Sequence, residues 1–290
     1  MKVIVLLPTF KNLKQTQKFI DSLSDNAELL SVMVLILDAD PDLEIVTSLE
    51  HPKNINIKII AKENLWWGEA INFLKCYCLE MGFDSDLVIC ANSDVSVTKG
   101  LESFLNYVIT INSVVHSLTV DQDGNNVTSG QRLISWFPYI THNIQSIKKD
   151  EDGTADFLNA RFCVWPSSIF FLMPAIPKAM PQYCGDYFLT HHCKLRGVNL
   201  LVSAKYTVLL DDRVTGVKTD RLRGFHELIN SFSSTRSSNN LQARFSLTSS
   251  FNGRVKSRLI LVNMIVNVFL KYFIGVLRDK SSSCFISKKW

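Results

Sequence analysis

Asp86–Val97 reads Asp-Leu-Val-Ile-Cys-Ala-Asn-Ser-Asp-Val-Ser-Val, and the fold turns on how this stretch is taken. Leu87–Ala91 is a short unbroken apolar run, the pattern of a strand covered on both faces. It stops at Asn92, Ser93 and Asp94: an amide, a hydroxyl and a carboxylate. Open α/β sheets bind ligands at the carboxyl ends of their strands. An oxygen-rich tip there suits a hard divalent cation bridging to phosphates. The alternative is that Asn-Ser-Asp only turns the chain.

Upstream the pattern recurs. Val3–Leu7, Val32–Leu37 and Ile55–Ile60 read as strands, with helices over Leu13–Leu23, Leu43–Leu49 and Glu69–Met81. Pro8–Asn12 and Asn64–Gly68 read as loops. The connections are short enough for right-handed crossovers, so an α/β fold with a mostly parallel, Rossmann-like central sheet is expected. Each strand is followed by polar residues: Thr9, then Asp38 and Asp40, then Asn64, then Asn92 and Asp94. Parallel strands share one carboxyl edge, so these groups are expected around one cleft. One carboxylate could grip a base or ribose hydroxyl while another holds a metal on a diphosphate. No Gly-x-Gly-x-x-Gly or Gly-Lys-Ser/Thr loop follows a strand, which leaves the diphosphate charge to a cation and backbone N–H groups.

Downstream, Leu101–Ile111 reads as a helix and Val114–Val120 as a strand. A turn at Asp121–Gly124 leads into a weakly ordered stretch that carries Trp136 and Tyr139. Phe157–Val164 and Ile169–Met173 read as strand pieces, Tyr187–Arg196 as a helix, and Leu200–Ser203 and Thr207–Leu210 as the last strand segments. Ser231–Asn240 is Ser/Asn-rich and reads as a loop. We expect an α/β domain over 1–225 and a basic helical extension over 226–290.

The 290 residues are 47% hydrophobic, enough for one large core and an extension. The net charge of +4 is unevenly spread. From Arg254 to Trp290 there are eight Lys/Arg and a single acid, Asp279, while the rest is slightly acidic. By charge the body is no nucleic-acid binder, and attraction to anions is expected in the tail. Seven cysteines without a Cys-x-x-Cys pair suggest reduced thiols rather than a zinc site. Val3–Leu7 is too short for a signal peptide, so a cytoplasmic protein is expected, where the acceptor-like Asn126-Val127-Thr128 would stay unglycosylated.

Five pieces, in order, resemble the family-2 glycosyltransferases, which have the GT-A fold. They are Val5–Asn12 (Val-Leu-Leu-Pro-Thr-Phe-Lys-Asn), Leu35–Asp40 (Leu-Ile-Leu-Asp-Ala-Asp), Asn64–Asn72 (Asn-Leu-Trp-Trp-Gly-Glu-Ala-Ile-Asn), Ala91–Val95 (Ala-Asn-Ser-Asp-Val) and Cys184–Leu189 (Cys-Gly-Asp-Tyr-Phe-Leu). The third resembles bacterial rhamnosyltransferase-like enzymes of surface polysaccharide assembly. The resemblance implies an inverting transfer of a sugar from a nucleotide-diphosphate donor to a hydroxyl of a lipid-linked or growing surface glycan. It implies that Asp38 contacts the base or ribose with Thr9 nearby, and that Asn64, Gly68 and Asn92 also belong to the nucleotide site. Asn92 and Asp94 stand where the family has Asp-x-Asp, which makes Asp94 a ligand of Mg²⁺ or Mn²⁺ and Asn92 a neutral substitute for the first acid. Asp211 or Asp212 falls where many relatives carry a metal-binding His; Asp212 is taken as the metal ligand. Asp186 stands where the family keeps the acid that deprotonates the acceptor hydroxyl. Trp66, Trp67 and Trp136 are candidates to meet the acceptor. The chain departs from the pattern at Gly185 for Glu, at Phe188 for a second acid, and at Trp66 for Gly.

Plainer readings stand beside these. Asp38 and Asp186 could cap helices, Trp66 and Trp67 could be core, and His191 and His192 could be packing residues rather than metal ligands. Arg161, Arg213, Arg221 and Arg223 could reach phosphate or simply be solvated. Two other functions remain open: a sugar nucleotidyltransferase, disfavoured because Pro8–Asn12 has neither glycine nor arginine, and a non-catalytic interaction protein. Leu259–Leu277 is mostly apolar, with Asn263, Asn267 and Lys271 along one helix face and basic residues at both ends. That suits a helix lying on the inner face of a membrane, peripheral to it, or else packed on protein or on a partner in a homo-oligomer.

Overall fold

The computed structural model describes all residues except 128, 138, 145–146, 212–223 and 287–290, and omits the side chains of 139 and 276–286. In chain order the elements are β1 (Lys2–Thr9), α1 (Leu13–Ser24), β2 (Ser31–Asp38), α2 (Glu44–Ser48), β3 (Asn56–Ala61), α3 (Trp67–Glu80), β4 (Leu87–Ala91), β5 (Val95–Ser96), α4 (Leu101–Ile111), β6 (Val114–Val120) and β7 (Asn126–Val127). Then follow β8 (Gly130–Trp136), β9 (Tyr139–Ile144), β10 (Asp152–Thr154), β11 (Phe157–Leu158), β12 (Phe162–Pro166), α5 (Ser167–Phe170), α6 (Gly185–Leu195), β13 (Leu200–Leu210), α7 (Phe225–Ser231), α8 (Leu241–Asn252) and α9 (Arg254–Ile286).

The main sheet runs β10-β13-β6-β12-β4-β1-β2-β3. β4, β1, β2 and β3 are mutually parallel, as are β6 and β13; β12 is antiparallel to both its neighbours. The order 4-1-2-3 means the chain winds outward from β1 through β2 to β3, then returns to β1's other side. The winding therefore reverses between β1 and β4, the switch point where such sheets form a crevice at their carboxyl ends.

The strands next to that crevice are apolar on both faces because helices cover both. Val5, Leu6 and Leu7 of β1 and every residue of β4 are buried. On one face α1 buries Thr16, Phe19, Ile20 and Leu23, and α4 buries Leu101, Phe104, Leu105 and Val108, each at the helical i, i+3, i+4, i+7 spacing; α3, with Ala70, Ile71 and Leu74 buried, packs on β1 and β2. Phe104 stacks on Tyr206 of β13 with centroids 4.8 Å apart, and the Tyr206 hydroxyl donates to the Thr98 carbonyl at 3.0 Å.

Several sequence expectations are corrected. Pro8 and Thr9 belong to β1 rather than to a loop. Pro8 is tolerated because the β1–β4 ladder has already ended at Leu6–Cys90, so its missing N–H faces no strand partner. Trp67 and Gly68 lie in α3, which starts two residues early, where Glu69 Oε2 accepts from the Trp66 amide at 3.3 Å. The stretch after Gly124 is not weakly ordered: β8 pairs with β9 and with β11, so Trp136 and Tyr139 stand on strands. Ile169–Met173 is no strand; after Pro166 the chain turns into α5, with the Phe171 amide bonded to the Ser167 carbonyl at 3.1 Å. The last two strand segments are one strand, β13, irregular between Ser203 and Thr207.

The chain forms two compact units. One comprises Met1–Leu133, Thr141–Lys178 and Asp186–Thr215; the other comprises Ile134–Ile140, Ala179–Gly185 and Gly216–Trp290. In the second, α8 packs along α9, and the Asn240 side chain caps α8 by accepting from the Ala243 amide at 2.9 Å.

Gly130 shows how tightly the first unit is filled. A Cβ there would fall 2.9 Å from Val202 Cγ2, 3.0 Å from Leu158 Cδ2 and 3.0 Å from the Phe157 carbonyl oxygen. Backbone on one side and β13 on the other leave little to yield. Gly130→Ala is expected to cost about 1–3 kcal/mol, read as a lower urea midpoint at unchanged slope.

Candidate functional site

Hydrogen bonds tie the carboxyl ends of the parallel strands into one edge. Thr9 and Asp38 are register partners at the ends of β1 and β2. The Ala39 amide donates to the Thr9 carbonyl at 3.0 Å, and the Asn64 amide to the Ala39 carbonyl at 3.1 Å. Thr9, Asp38 and Asn64 are thereby brought together. Across the switch point, Asn12 Nδ2 donates to Ser93 Oγ at 2.8 Å, which joins the loop after β1 to the loop after β4. The Asn92 amide donates to the Arg161 carbonyl at 3.0 Å, and the Asp211 amide to the Asp94 carbonyl at 2.8 Å. Asn92, Asp94 and Asp211 thus form a second group on the same edge.

Asp38 is 0% exposed. Its Oδ1 accepts from the Asp40 amide at 3.1 Å, and its Oδ2 is buried without a hydrogen-bond partner. Burial pushes its carboxyl above the usual range, and the amides of Asp40, Val46 and Ile45 pull the other way. Part of its work is therefore structural, at the start of α2, while one oxygen keeps an unmet demand for a donor. Asp40 is also buried, and Lys11 Nζ lies 3.9 Å from its Oδ1 and 3.2 Å from Asp42 Oδ2.

Backbone strain marks the same edge. Lys11 and Asn64 adopt positive φ of 47° and 60°. Left-handed backbone in a lysine is uncommon and persists where surrounding contacts fix it, often beside functional groups.

Asp186 occupies the first turn of α6, where a carboxylate is favoured by the helix dipole, and its Oδ1 accepts from the Tyr187 amide at 2.8 Å. α6 is anchored through Thr190 Oγ1, which accepts from the Leu158 amide at 3.1 Å and donates to the Asp186 carbonyl at 2.9 Å. Burial first, then Cys90, Cys193 and Asp186, push the thiol of Cys163 on β12 well above its ordinary value. Cys163 is the register partner of Cys90 on β4.

Trp66 and Trp67 are half-buried at the start of α3, and Gly68 is buried there. Asn72 of the same helix clasps Ile176 in both directions, Nδ2 to the carbonyl and the amide to Oδ1, each at 2.8 Å. Trp136 belongs to the second unit, where its ring lies 6.0 Å from that of Phe251. His191 stacks on Phe157 at 4.8 Å with Nδ1 3.2 Å from the Asp156 carbonyl, and His192 meets Phe188 edge-on at 4.5 Å. Burial first lowers the pKa of both. Asp212, Arg213, Arg221 and Arg223 lie outside the described residues.

Among the described residues no three His, Cys, Asp or Glu are grouped to hold a metal. Asp94 and Asp211, neighbours through their backbone bond, offer two hard carboxylates. That donor set suits Mg²⁺ or Mn²⁺, which take one or two carboxylates and complete their shell with water and substrate phosphate.

The Asn12–Ser93 bond is not legible in the sequence; two polar residues 81 positions apart carry no local signal of pairing. Asn72 closes the Asn64–Asn72 stretch, but its role as a clasp is visible only in three dimensions.

No protein-family profile matches the sequence, and no curated protein matches it. Solved structures do match. GalNAc-T7 with UDP, GalNAc and Mn²⁺ superposes with a TM-score of 0.53 at 10% identity over 76% of this chain and 45% of its own. S. aureus TarS superposes with a TM-score of 0.53 at 14% identity over 95% of this chain and 54% of its own. The chain spans about half the length of these structures. At such identities the likeness establishes the fold: a GT-A α/β domain with a C-terminal helical extension.

Proposed function

We propose that this chain is an inverting glycosyltransferase, moving a hexosyl or deoxyhexosyl group from a nucleotide-diphosphate sugar to a hydroxyl of a lipid-linked or growing surface glycan. One observation carries the reading: on a GT-A sheet, Thr9, Asp38, Asn64, Asn92, Asp94 and Asp211 share the carboxyl edge at the switch point. The fold supports nucleotide-sugar chemistry; the strain at Lys11 and Asn64 supports a site at this edge.

In this reading Thr9, Asp38, Asn64 and Gly68 hold the nucleoside, with Asn92 beside the diphosphate. Asp94 and Asp211, with Asp212 as the further candidate, would hold Mg²⁺ or Mn²⁺. Such an ion neutralises charge as the diphosphate leaves. Asp186 takes the proton of the acceptor hydroxyl as its oxygen bonds to the anomeric carbon and the carbon–diphosphate bond breaks on the opposite face. Trp66 or Trp67 would steady the acceptor sugar, a task suited to half-buried aromatic rings.

A thermal-shift screen of nucleotide-diphosphate sugars, with and without Mn²⁺, tests this. A donor at about a hundredfold over its Kd adds about 2.7 kcal/mol and should raise the Tm by several degrees. A Tm unmoved by every donor in both conditions would refute donor binding. Donor hydrolysis in the shifted condition separates an enzyme from a scaffold that merely binds.

A further inference from the structure

We propose that α9 lies in the plane of an anionic lipid surface, with a bare apolar stripe among the acyl chains and basic residues on the headgroups. Val255, Leu259, Val262, Val266, Leu270 and Phe273 recur at spacings of three and four, and each is at least half exposed. They form a continuous apolar face that no described residue covers. Elsewhere on the circumference the helix is seated on its own unit. Ser257 and Ile260 there are fully buried, and at one edge of the stripe the Phe269 ring lies 6.2 Å from Phe225 and 5.8 Å from Phe232.

Charge decides the occupant. Arg254, Lys256, Arg258 and Lys271 are exposed, and no acid occurs from Arg254 to Gly275. A second copy laid along the stripe would set these cations against its own, whichever way it ran. Anionic headgroups complement them. Arg254–Gly275 is long and apolar enough to cross a bilayer by length and composition. However, Ser257 and Ile260, opposite the stripe, are buried against protein, and Phe269 at the stripe's edge meets Phe225 and Phe232. Asn263, bonded to Asn267 Nδ2 at 3.0 Å, begins a polar line that continues to Lys271. A helix with one packed side, one apolar side and polar borders lies on a membrane rather than through it. The inference stands whether or not the chain transfers sugar.

Co-flotation of the full chain tests it, with vesicles of phosphatidylcholine alone and of phosphatidylcholine with phosphatidylglycerol. The chain should float with the phosphatidylglycerol vesicles and be released by salt. Val262→Glu/Val266→Glu, at two exposed positions, should keep the wild-type Tm and bind at least about tenfold more weakly. Arg254→Gln/Lys256→Gln/Arg258→Gln should erase the preference for phosphatidylglycerol. Three results would overturn the proposal. They are no flotation of the full chain, flotation that only detergent reverses, and a Val262→Glu/Val266→Glu variant that turns a dimer into a monomer while floating as before.

Discussion

Asp186→Asn should lower turnover in sugar transfer by about 10²–10⁴-fold, the usual worth of a positioned general base. The substitution is nearly isosteric, and an amide oxygen can still accept from the Tyr187 amide that Asp186 Oδ1 holds at 2.8 Å. The first turn of α6 should therefore survive, as should its anchor through Thr190 and Leu158. What disappears is the capacity to take a proton. The loss should fall on kcat, with the donor-induced rise in Tm unchanged. A kcat close to wild type would remove Asp186 from the chemistry while leaving donor binding untouched, so the two parts of the proposal fail separately.

Acid should destabilise the protein through His116, by about 3 kcal/mol over the full titration. His116 lies on β6 and is fully buried. Its Nδ1 faces the Ser117 carbonyl, and its Nε2 accepts from the Phe162 amide at 3.5 Å. The neutral ring with its proton on Nδ1 satisfies both contacts; a second proton on Nε2 would point at an N–H group. Burial above all, with the Arg161 charge adding to it, pushes the pKa from 6.5 down to about 4, against opposing hydrogen bonds from Ser117 and Asn159. The unfolded chain therefore takes up a proton near pH 6.5 that the folded chain refuses until about 4. Stability is complete above the upper value and falls as pH drops through the interval. Urea titrations across that range should show a shallower pH slope for His116→Gln than for wild type, by up to one proton. Equal slopes would refute the assignment. The effect also reaches the candidate site, because Phe162 follows Arg161, whose carbonyl holds the Asn92 amide.

The sheet was largely legible in the sequence. Leu87–Ala91, Leu101–Ile111 and Val114–Val120 have the expected bounds, because unbroken or helically spaced apolar runs ended by polar residues state both burial and length. Gly130–Ile144 was not legible. Its strands are polar and short on apolar alternation, and they exist because Gly130 and Gln131 find partners in Leu158 and Phe157, a pairing distant in sequence. Ile169–Met173 failed for the opposite reason, since a short apolar run suits a buried strand or a buried helical turn equally. At the candidate site, the shared edge of Asp38 and Asp94 followed from parallel strands alone. The complete burial of Asp38, and its position beside the amides that begin α2, did not; residue type cannot tell an acid aimed at a ligand from one that organises its own loop.

The two ladders flanking β1 end at different heights. With β2 it stays paired to Thr9; with β4 it parts after Leu6. The middle of the sheet is thus a zip left partly undone, and the Asn12–Ser93 bond is a stitch across its open end. Undoing that stitch sacrifices a side-chain hydrogen bond, about 1 kcal/mol, and no rung of either ladder. Its loss would release the loop after β1 from the loop after β4 and leave the strands that carry them paired as before.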